Sequence, residues 1–247
     1  MTASVGGAAL PGDATDLGTL LRIADRTLYT AKALGRNRAH VGARTAPEAG
    51  DDLLERGSVL NFLQALADRI DTDSGSAAHT AEAARLAGEV ADRLGVGAVG
   101  RWRAVAAARF HDIGKVAVPR EVLGKRGPLT PDEWRLVHDH PERGAQILEL
   151  ISDLRDVAPV IRQHHEHYDG RGYPDGRTGE EILLEARIVA VCDAWAAMRA
   201  DRSYRRALTE AQSLAELHRC AGSQFDPHVV RAFTAVVRAP AADRAAA

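Results

Sequence analysis

From about residue 53 onward, apolar and polar positions alternate with the period of amphipathic helices. Between residues 79 and 94, the side chains of Ala83, Leu86, Val90 and Leu94 share one helical face, and Gly95 follows as a residue typical of a helix end. The same spacing predicts helices over residues 98–112, 154–166, 184–199, 210–224 and 227–237.

A further helix start is predicted at Thr130. The sequence from Thr130 to Glu133 is a capping box, in which these two side chains satisfy each other's backbone N–H groups. Pro131 stands at the first helical position, and Pro141 limits how the helix continues past His140. We find no repeat or heptad array, so residues 53–238 are predicted to form one mainly α, compact helical domain.

Residues 1–42 are predicted to form a short α/β unit, with strands over residues 4–10 and 39–41 and a helix over 17–34. A unit this short cannot cover both of its own faces, so we expect it to be the end of a larger domain. The segments TASVGGAALP and LLRIADRTLYTAKALGRNR resemble the C-terminal end of a GGDEF (diguanylate cyclase) domain. The part that would bind nucleotide is missing, which predicts an inactive remnant. Residues 43–52 are predicted to form a linker, and residues 239–247 are predicted to form a flexible tail.

Composition narrows the class of protein. The chain has 247 residues, 45% of them hydrophobic and only 4% aromatic, with a net charge of −2. A core of Ala, Leu, Val and Ile suits helices, and the near-neutral charge argues against bulk binding to duplex nucleic acid or to an anionic membrane. No apolar run approaches the roughly 18 residues of a membrane span. The two cysteines, Cys192 and Cys220, are typical of a reducing compartment, so we expect a cytoplasmic protein.

Histidine and aspartate residues recur at intervals of about one helix plus one loop. The set comprises His79, His111, Asp112, His140, His164, His165 and Asp193. Antiparallel helices can direct ligands from several elements to one interior point. Adjacent ligands on a helix differ in direction by about 100°, so the paired residues suit two cations about 3.5–4 Å apart better than a single cation. Two cations would also lower the pKa of a bridging water, which suits hydrolysis of a phosphodiester.

Asp193 is the most informative member of this set, because it continues an apolar stripe that includes Ala186, Val189 and Ala197. A buried carboxylate must be paired or bound to a cation. Metal binding resolves the conflict, and a salt bridge to an arginine such as Arg187 is the alternative. The remaining histidines are predicted to be surface residues: His40, His138, His167, His218 and His228.

The same segments resemble the successive motifs of an HD-GYP domain, a branch of the HD-type metal-dependent phosphohydrolases. They are VAAARFHDIGKVAVP, DHPERGAQIL, HHEHYDGRGYPDG and ARIVAVCDAWAAMRADRSYRRAL, and the resemblance covers roughly residues 55–236. It implies an HD-type helical bundle in which the seven residues hold two metal ions and Asp112 bridges them. It also implies hydrolysis of cyclic di-GMP, a bacterial second messenger, to the linear dinucleotide or to GMP. Mixed imidazole and carboxylate ligands favour Fe or Mn over Zn.

The resemblance also assigns side chains to the substrate. Lys115 lies four residues after His111, on the same face if the helix continues, and is expected to meet a phosphate oxygen; the alternative is a cation at a helix C-terminus. Arg202 and Arg205 match positions that contact substrate phosphates. Tyr173 is expected either to bind the ligand or to pack within its loop.

The loop after the paired histidines is rich in turn residues. Gly170 and Gly172 permit a positive φ, and Pro174 favours an extended conformation at Tyr173. Asp169 is expected to orient a metal-binding histidine through a hydrogen bond. Two departures from the family are clear: Ser203 stands where proline is usual, and Gly75 stands where some members have a third-metal glutamate. The sequence therefore predicts two metals.

Two other functions stay open at this point. One is a catalytically weak signalling module that binds a cyclic dinucleotide or a partner through the GYP surface. The other is an HD phosphohydrolase acting on another nucleotide, or an HD-type di-iron oxygenase. The complete ligand set argues against a pure binding module, and the GYP loop argues against the other enzymes. Whatever the function, a GGDEF-domain or adaptor protein is a candidate partner at that surface, and a homodimer is a candidate assembly.

Overall fold

The computed structural model describes residues 5–7, 39–41, 63–70, 79–125, 127–200 and 206–239. The chain divides into two compact units, Met1–Leu60 and Asn61–Ala247. In the first unit, strands β1 (Val5–Gly7) and β2 (Ala39–Val41) pair in parallel, with Val5 opposite Ala39. Two parallel strands need a crossover connection between them. The helix predicted over 17–34 and the linker predicted over 43–52 lie outside the described residues.

The second unit is helical. Its α-helices are α1 (63–70), α2 (His79–Arg93), α3 (Gly97–Phe110), α4 (Arg120–Leu123), α5 (Pro131–His138), α6 (His140–Glu149), α7 (Ala158–Gln163), α8 (Leu184–Arg199), α9 (Glu210–Arg219) and α10 (Pro227–Arg238). Three 3₁₀ segments, Ile113–Ala117, Ser152–Val157 and Gly179–Glu181, connect them. The mainly α fold expected from the sequence is confirmed.

The core consists largely of alanine and aliphatic side chains, as the composition predicts. Helix α2 packs against both α3 and α8, and Ala83, Ala87, Ala104 and Ala107 are completely buried there. Small side chains let helix axes approach closely, so these helices form a tight centre. Helix α10 packs against both α2 and α8, and Trp195 of α8 meets Phe233 of α10 edge-to-face, with ring centroids 5.2 Å apart. No helix among the described residues is long and apolar enough to cross a membrane.

The start of α5 forms as predicted. Thr130 accepts a hydrogen bond from the backbone N–H of Glu133, and the Glu133 carboxylate accepts one from the N–H of Thr130 at 2.7 Å. Helix α5 ends at His138 and α6 begins at His140, with Pro141 in its first turn. Proline is tolerated there because the first N–H groups of a helix have no partner within it.

Three predicted helices are shorter than expected. The helix predicted over 98–112 ends at Phe110, and a 3₁₀ turn follows. The region 154–166 contains a 3₁₀ segment and then α7, because Pro159 cannot lie inside a longer helix and instead starts a new one. The helix predicted over 210–224 ends at Arg219 and is followed by a turn in which Gly222 has φ +87°. Helix α8 has the predicted bounds.

Candidate metal centre

The ends of several helices surround one buried point. His111 and Asp112 follow the last residue of α3, His140 is the first residue of α6, His164 and His165 follow α7, and Asp193 lies within α8. The structure therefore brings six of the seven sequence-predicted ligands together. His79 begins α2, but its side chain lies outside the described residues.

Three histidines form one half of the site, which we call the imidazole half. One ring nitrogen from each of His140, His164 and His165 can be chosen so that the three atoms lie within 4.8 Å of one another. The Nδ1 of His140 lies 2.6 Å from the carbonyl oxygen of Val137, and the Nδ1 of His164 lies 2.5 Å from that of Ile161. A carbonyl oxygen only accepts, so both Nδ1 atoms carry the proton and both Nε2 atoms present a lone pair to the site.

This arrangement fits a metal ion. The Nε2 atoms of His140 and His164 are 3.3 Å apart, and neither has a proton to share with the other. Two nitrogens that bind one cation at about 2.0–2.1 Å and at roughly 90–110° would lie about 2.8–3.4 Å apart. The two lone pairs therefore have the separation that a shared cation requires.

The other half contains His111, Asp112, Asp193 and Lys115, and we call it the carboxylate half. The Nδ1 of His111 lies 2.9 Å from the carbonyl oxygen of Ala108, which directs its Nε2 into the site. That Nε2 lies 3.4 Å from Oδ1 of Asp193 and 3.6 Å from Oδ2 of Asp112. Lys115 Nζ lies 2.6 Å from the same Asp112 oxygen.

Asp112 connects the two halves. While its Oδ2 faces Lys115 and His111, its Oδ1 lies 3.4 Å from the Nε2 of His140. The two oxygens of one carboxylate thus face different groups of nitrogen ligands. A carboxylate in this position can bind one cation through each oxygen.

The pKa shifts of the histidines differ between the halves. Burial opposes protonation of His111, but the adjacent carboxylates of Asp112 and Asp193 raise its pKa to about 10. Burial lowers the pKa of His140 to about 4 and that of His165 to about 3, and together with neighbouring imidazoles it holds the pKa of His164 well below its ordinary value. The imidazole half is therefore neutral at pH 7, as metal ligands must be.

The carboxylates are ionised in spite of their burial. Burial raises the pKa of Asp112, but Lys115, His111 and His140 outweigh it and hold that pKa well below its usual range. The pKa of Asp193 is likewise lowered, because the attraction and the hydrogen bond of His111 outweigh the effect of burial. Two anions, of which Asp112 is buried and Asp193 partly exposed, beside neutral imidazoles are the donor set that attracts a divalent cation.

Lys115 lies close to the site, but the secondary structure that brings it there differs from the one expected. The sequence placed it on the face of His111 by continuing the helix, but α3 ends at Phe110 and Lys115 lies in the 3₁₀ segment Ile113–Ala117. Its N–H donates to the carbonyl oxygen of Asp112 at 2.9 Å, and this tight turn brings its ammonium group to the Asp112 carboxylate. The ammonium group of Lys115 is therefore close to Asp112 because of the 3₁₀ turn, and not because α3 continues.

Asp193 does not pair with Arg187. The guanidinium of Arg187 instead lies 2.5 Å from Oδ2 of Asp226 and also donates to the carbonyl oxygen of Ile182. The salt bridge from Asp193 to Arg187 that the sequence left open is therefore wrong, because Arg187 is engaged by α10 and by the loop before α8. Asp193 faces His111 instead.

The loop after His165 is organised by a carboxylate that sequence reasoning missed. Glu166 is only 3% exposed, and its two oxygens accept hydrogen bonds from the backbone N–H groups of Asp175 at 2.7 Å and Arg177 at 3.0 Å. A carboxylate directly before a glycine-rich loop is the signal that could have identified it, since a carboxylate accepts hydrogen bonds and the backbone N–H groups of such a loop need acceptors.

The loop glycines serve different purposes. Gly170 has φ +82°, as expected, but Gly172 is not among the positive-φ glycines of the described residues. Its constraint is steric, because a Cβ there would lie 2.2 Å from the backbone nitrogen of His167. The bond between Tyr173 and Pro174 is cis, so the expectation of a simple extended segment was incomplete.

Aromatic rings extend from the imidazole half to the surface. Tyr173 stacks on His165, with centroids 4.9 Å apart and planes inclined by 28°, and on His138, at 4.1 Å and 12°. Trp134 meets His138 edge-on at 5.2 Å. His138 is exposed, as predicted, but the sequence did not reveal that it contacts the loop. We call Trp134, His138, Tyr173 and His165 the ring column.

The remaining predicted site residues are Asp169, Arg202 and Arg205. Asp169 accepts a hydrogen bond from the backbone N–H of Arg171 at 3.1 Å, so its carboxylate stabilises the loop turn instead of orienting a histidine. A short polar side chain commonly closes a turn two residues ahead in this way, and this local bond accounts for the difference. Arg202 and Arg205 lie outside the described residues.

Comparison with known proteins identifies the family. Residues 64–229 match the HD domain family, and the chain belongs to it. A relative from Xanthomonas campestris named cyclic di-GMP phosphodiesterase response regulator RpfG is 41% identical over 162 residues, which are 65% of this chain and 43% of that protein. A Vibrio cholerae relative named 3'3'-cGAMP-specific phosphodiesterase 3 is 36% identical over 152 residues, 62% of this chain and 33% of that protein.

A solved structure shares the fold. A crystal structure described as a cyclic GMP-AMP-specific phosphodiesterase of Vibrio cholerae superposes with a TM-score of 0.58 at 18% identity, covering 72% of this chain and 48% of the other. The chain thus spans less than half the length of these proteins. HD domain phosphohydrolases are metal-dependent, and the histidine cluster described above could bind a metal.

Proposed function

We propose that this protein is an HD-GYP phosphodiesterase that hydrolyses cyclic di-GMP to the linear dinucleotide or to GMP in bacterial second-messenger signalling. The observation that carries the proposal is the position of Asp112, whose two oxygens face different groups of nitrogen ligands. Support also comes from the Xanthomonas relative, whose name gives this activity.

The proposal includes two divalent metal ions, with Fe or Mn preferred. His140, His164 and His165 would hold one, His111 and Asp193 the other, Asp112 would bind both, and His79 would complete the set. When bound, the metals supply an activated water and positive charge for the phosphate. The raised pKa of His111 supports this placement. The carboxylates of Asp112 and Asp193 stabilise a proton on His111, and they would stabilise a cation at the same position.

The chain's own residues would orient the substrate and balance its charge. Hydrolysis adds water across one phosphodiester linkage, leaving a phosphate monoester and a free hydroxyl group. Lys115 would place its ammonium beside the phosphate while remaining close to Asp112. Burial and the nearby carboxylates raise the pKa of Tyr173, so its hydroxyl keeps its proton and can donate a hydrogen bond. We assign Arg202 and Arg205 to the remaining phosphate charge, as the family resemblance implies.

The test is an anaerobic purification in which metal content and hydrolysis of cyclic di-GMP are measured on the same preparation. We expect about two Fe or Mn ions per chain and formation of linear product that stops after chelation and resumes when the metal returns. Asp112→Asn serves as the inactive reference, and His228→Ala, a change at an exposed residue of α10, serves as the matched surface control. A metal-loaded protein that leaves cyclic di-GMP intact would overturn the proposed substrate.

A second substrate is favoured by a specific observation. The Vibrio cholerae relative is named as specific for 3'3'-cGAMP, which differs from cyclic di-GMP in one base. The metal centre handles the phosphodiester and does not distinguish the bases. Comparing kcat/KM for the two dinucleotides on one metal-loaded preparation decides between them. A higher kcat/KM for 3'3'-cGAMP would identify it, and not cyclic di-GMP, as the preferred substrate.

We also propose the domain boundaries read from the sequence: an inactive GGDEF remnant over 1–42, a linker over 43–52, the HD-GYP domain over 53–238 and a tail over 239–247. The parallel pairing of β1 with β2 supports a connection of the strand–helix–strand type in the first segment. Limited proteolysis followed by mass spectrometry tests this division, and we expect the earliest cuts within residues 43–52. First cuts inside α2 or α3 would contradict it.

A further inference from the structure

His165 differs from the other described histidines of the metal centre in how its ring is held. His111, His140 and His164 each direct Nδ1 to a backbone carbonyl oxygen three residues earlier, at 2.9, 2.6 and 2.5 Å. Within the described part of the chain, the His165 ring makes no hydrogen bond of this kind. Its neighbours are rings: His164 at 4.0 Å, Tyr173 at 4.9 Å and His140 at 5.0 Å between centroids.

Tyr173 is itself held at two points. Its backbone N–H donates to the carbonyl oxygen of His165 at 3.1 Å, and Glu166 ties the following loop residues to the same segment. These bonds fix the backbone of Tyr173 but leave its ring free to turn. The contact that fixes the ring comes from a different element, because His138 of α5 lies almost parallel to it at 4.1 Å.

We propose that His138, acting through Tyr173, positions the imidazole of His165 for metal binding. Stacking fixes the plane of a ring, whereas the bond to a carbonyl oxygen fixes both its plane and its tautomer. The ring column thus takes the place of the missing hydrogen bond. His138 is a positioning residue, since its ring contacts are with Trp134 and Tyr173 and its proposed effect on His165 passes through Tyr173.

This inference rests on the metal site of the proposed function but not on the identity of the substrate. It can therefore be tested with Mn²⁺ alone. The full chain is freed of metal with a chelator and titrated with Mn²⁺ by calorimetry, and metal content is measured after dialysis against a fixed Mn²⁺ concentration.

His138→Ala removes the stacked ring, and we expect one of the two Mn²⁺ affinities, that of the imidazole half, to fall by about tenfold or more, the range observed when a group that orients a metal ligand is lost. His138→Phe keeps a flat ring without the imidazole nitrogens, and we expect it to bind Mn²⁺ nearly as the parent chain does. His228→Ala, which changes an exposed histidine of α10, is the matched control and should bind Mn²⁺ unchanged.

A second pair of variants tests the middle of the ring column. Tyr173→Phe retains the ring and should retain Mn²⁺ affinity, whereas Tyr173→Leu should lose affinity to the same extent as His138→Ala. Hydrogen exchange at the Tyr173 amide in the metal-free chain gives a reading independent of metal. We expect His138→Ala to speed this exchange, because the ring that holds Tyr173 in place is gone.

The outcomes separate the two proposals. Equal Mn²⁺ affinity in the parent chain and in His138→Ala would overturn the positioning role and leave the proposed function intact. An equal loss in His138→Phe and His138→Ala would also overturn it, because the loss would then come from the imidazole nitrogens and not from stacking. A parent chain that binds no Mn²⁺ and no Fe would overturn the metal site itself, and the inference with it.

Discussion

Histidines of both the carboxylate half and the imidazole half lie close to Asp112, yet the pKa of His111 is raised and the pKa of His140 is lowered. His111 lies between two carboxylates and has its pKa raised to about 10, whereas His140, with a single carboxylate contact, has its pKa lowered to about 4. Both rings are buried and both direct Nδ1 to a carbonyl oxygen. Burial lowers the pKa of both rings, and only His111 has enough adjacent negative charge to outweigh it.

This difference shows how each half is prepared for a cation. In the carboxylate half, positive charge from His111 and Lys115 balances the buried anions. In the imidazole half, lone pairs face one another at 3.3 Å with no proton between them. A metal ion would therefore replace a proton in the first half and fill a gap between lone pairs in the second.

Asp112→Asn should have the largest effect, because it alters the group that both halves share. We expect turnover to fall by about 10³-fold or more and the metal content to fall with it. Elemental analysis and product formation on the same preparation measure both. If the variant keeps its full metal content and its turnover, the two halves do not depend on Asp112.

His164→Ala and Asp193→Ala compare the halves directly. Each removes one ligand, so each should abolish occupancy by two metals, and the remaining half should keep its own metal more tightly than the damaged one. Metal content after dialysis against graded chelator concentrations measures the difference. Full metal content and full turnover in both variants would place the metal site elsewhere.

Lys115→Ala and Lys115→Met test the charge of the carboxylate half without removing a metal ligand. An ammonium has no lone pair, so both metals should stay, while kcat should fall by about a hundredfold. Steady-state kinetics with metal analysis measures both quantities. Metal loss in either variant would show that the 2.6 Å contact with Asp112 holds that carboxylate in place, and an unchanged kcat would remove Lys115 from the reaction.

The sequence predicted the members of both halves because their spacing and the family resemblance agree. It could not predict how Lys115 reaches Asp112, since the 3₁₀ segment that carries Lys115 packs against α6, which is distant in the sequence. It also missed the partner of Arg187, which lies 39 positions away in α10, and the stacking of His138 on Tyr173. These are contacts between distant segments, and local periodicity carries no information about them.

The pH dependence of stability in the metal-free protein should reveal the two halves separately. The pKa of His140 falls from 6.5 to about 4 on folding, so the unfolded chain binds more protons between these values and stability falls as pH drops through that window. The pKa of His111 rises from 6.5 to about 10, so stability falls as pH rises through that window. The maximum should therefore lie near pH 6.5.

Denaturant unfolding of the chelator-treated chain between pH 5 and pH 9 measures this profile. Between pH 6.5 and pH 5, the acid limb from His140 alone should amount to roughly 2 kcal/mol, since one pKa unit is about 1.4 kcal/mol. His111→Gln should flatten the alkaline limb while leaving the acid limb in place. A profile that is flat across the whole range would contradict the charge difference between the halves.

Deletion of residues 1–42 should have the smallest effect on either half. All of the described site residues lie between His111 and Asp193, within the unit Asn61–Ala247. We expect the shortened chain to keep its metal content and its turnover within about twofold of the parent. A soluble deletion variant with normal metal content and no turnover would assign the N-terminal segment a part in catalysis.

Gly114 has a consequence for how distant relatives can be interpreted. A Cβ at this position would lie 2.0 Å from the carbonyl oxygen of His140 and 2.5 Å from the backbone nitrogen of Gly144. Backbone atoms cannot rotate away as a side chain can, so a larger residue would displace α6 and carry His140 with it. Among proteins that keep the histidine and aspartate of the HD pair, a glycine two residues after the aspartate therefore marks a preserved ligand geometry. Replacement of this glycine would indicate that the metal ligands have changed position relative to one another, even where every ligand is retained.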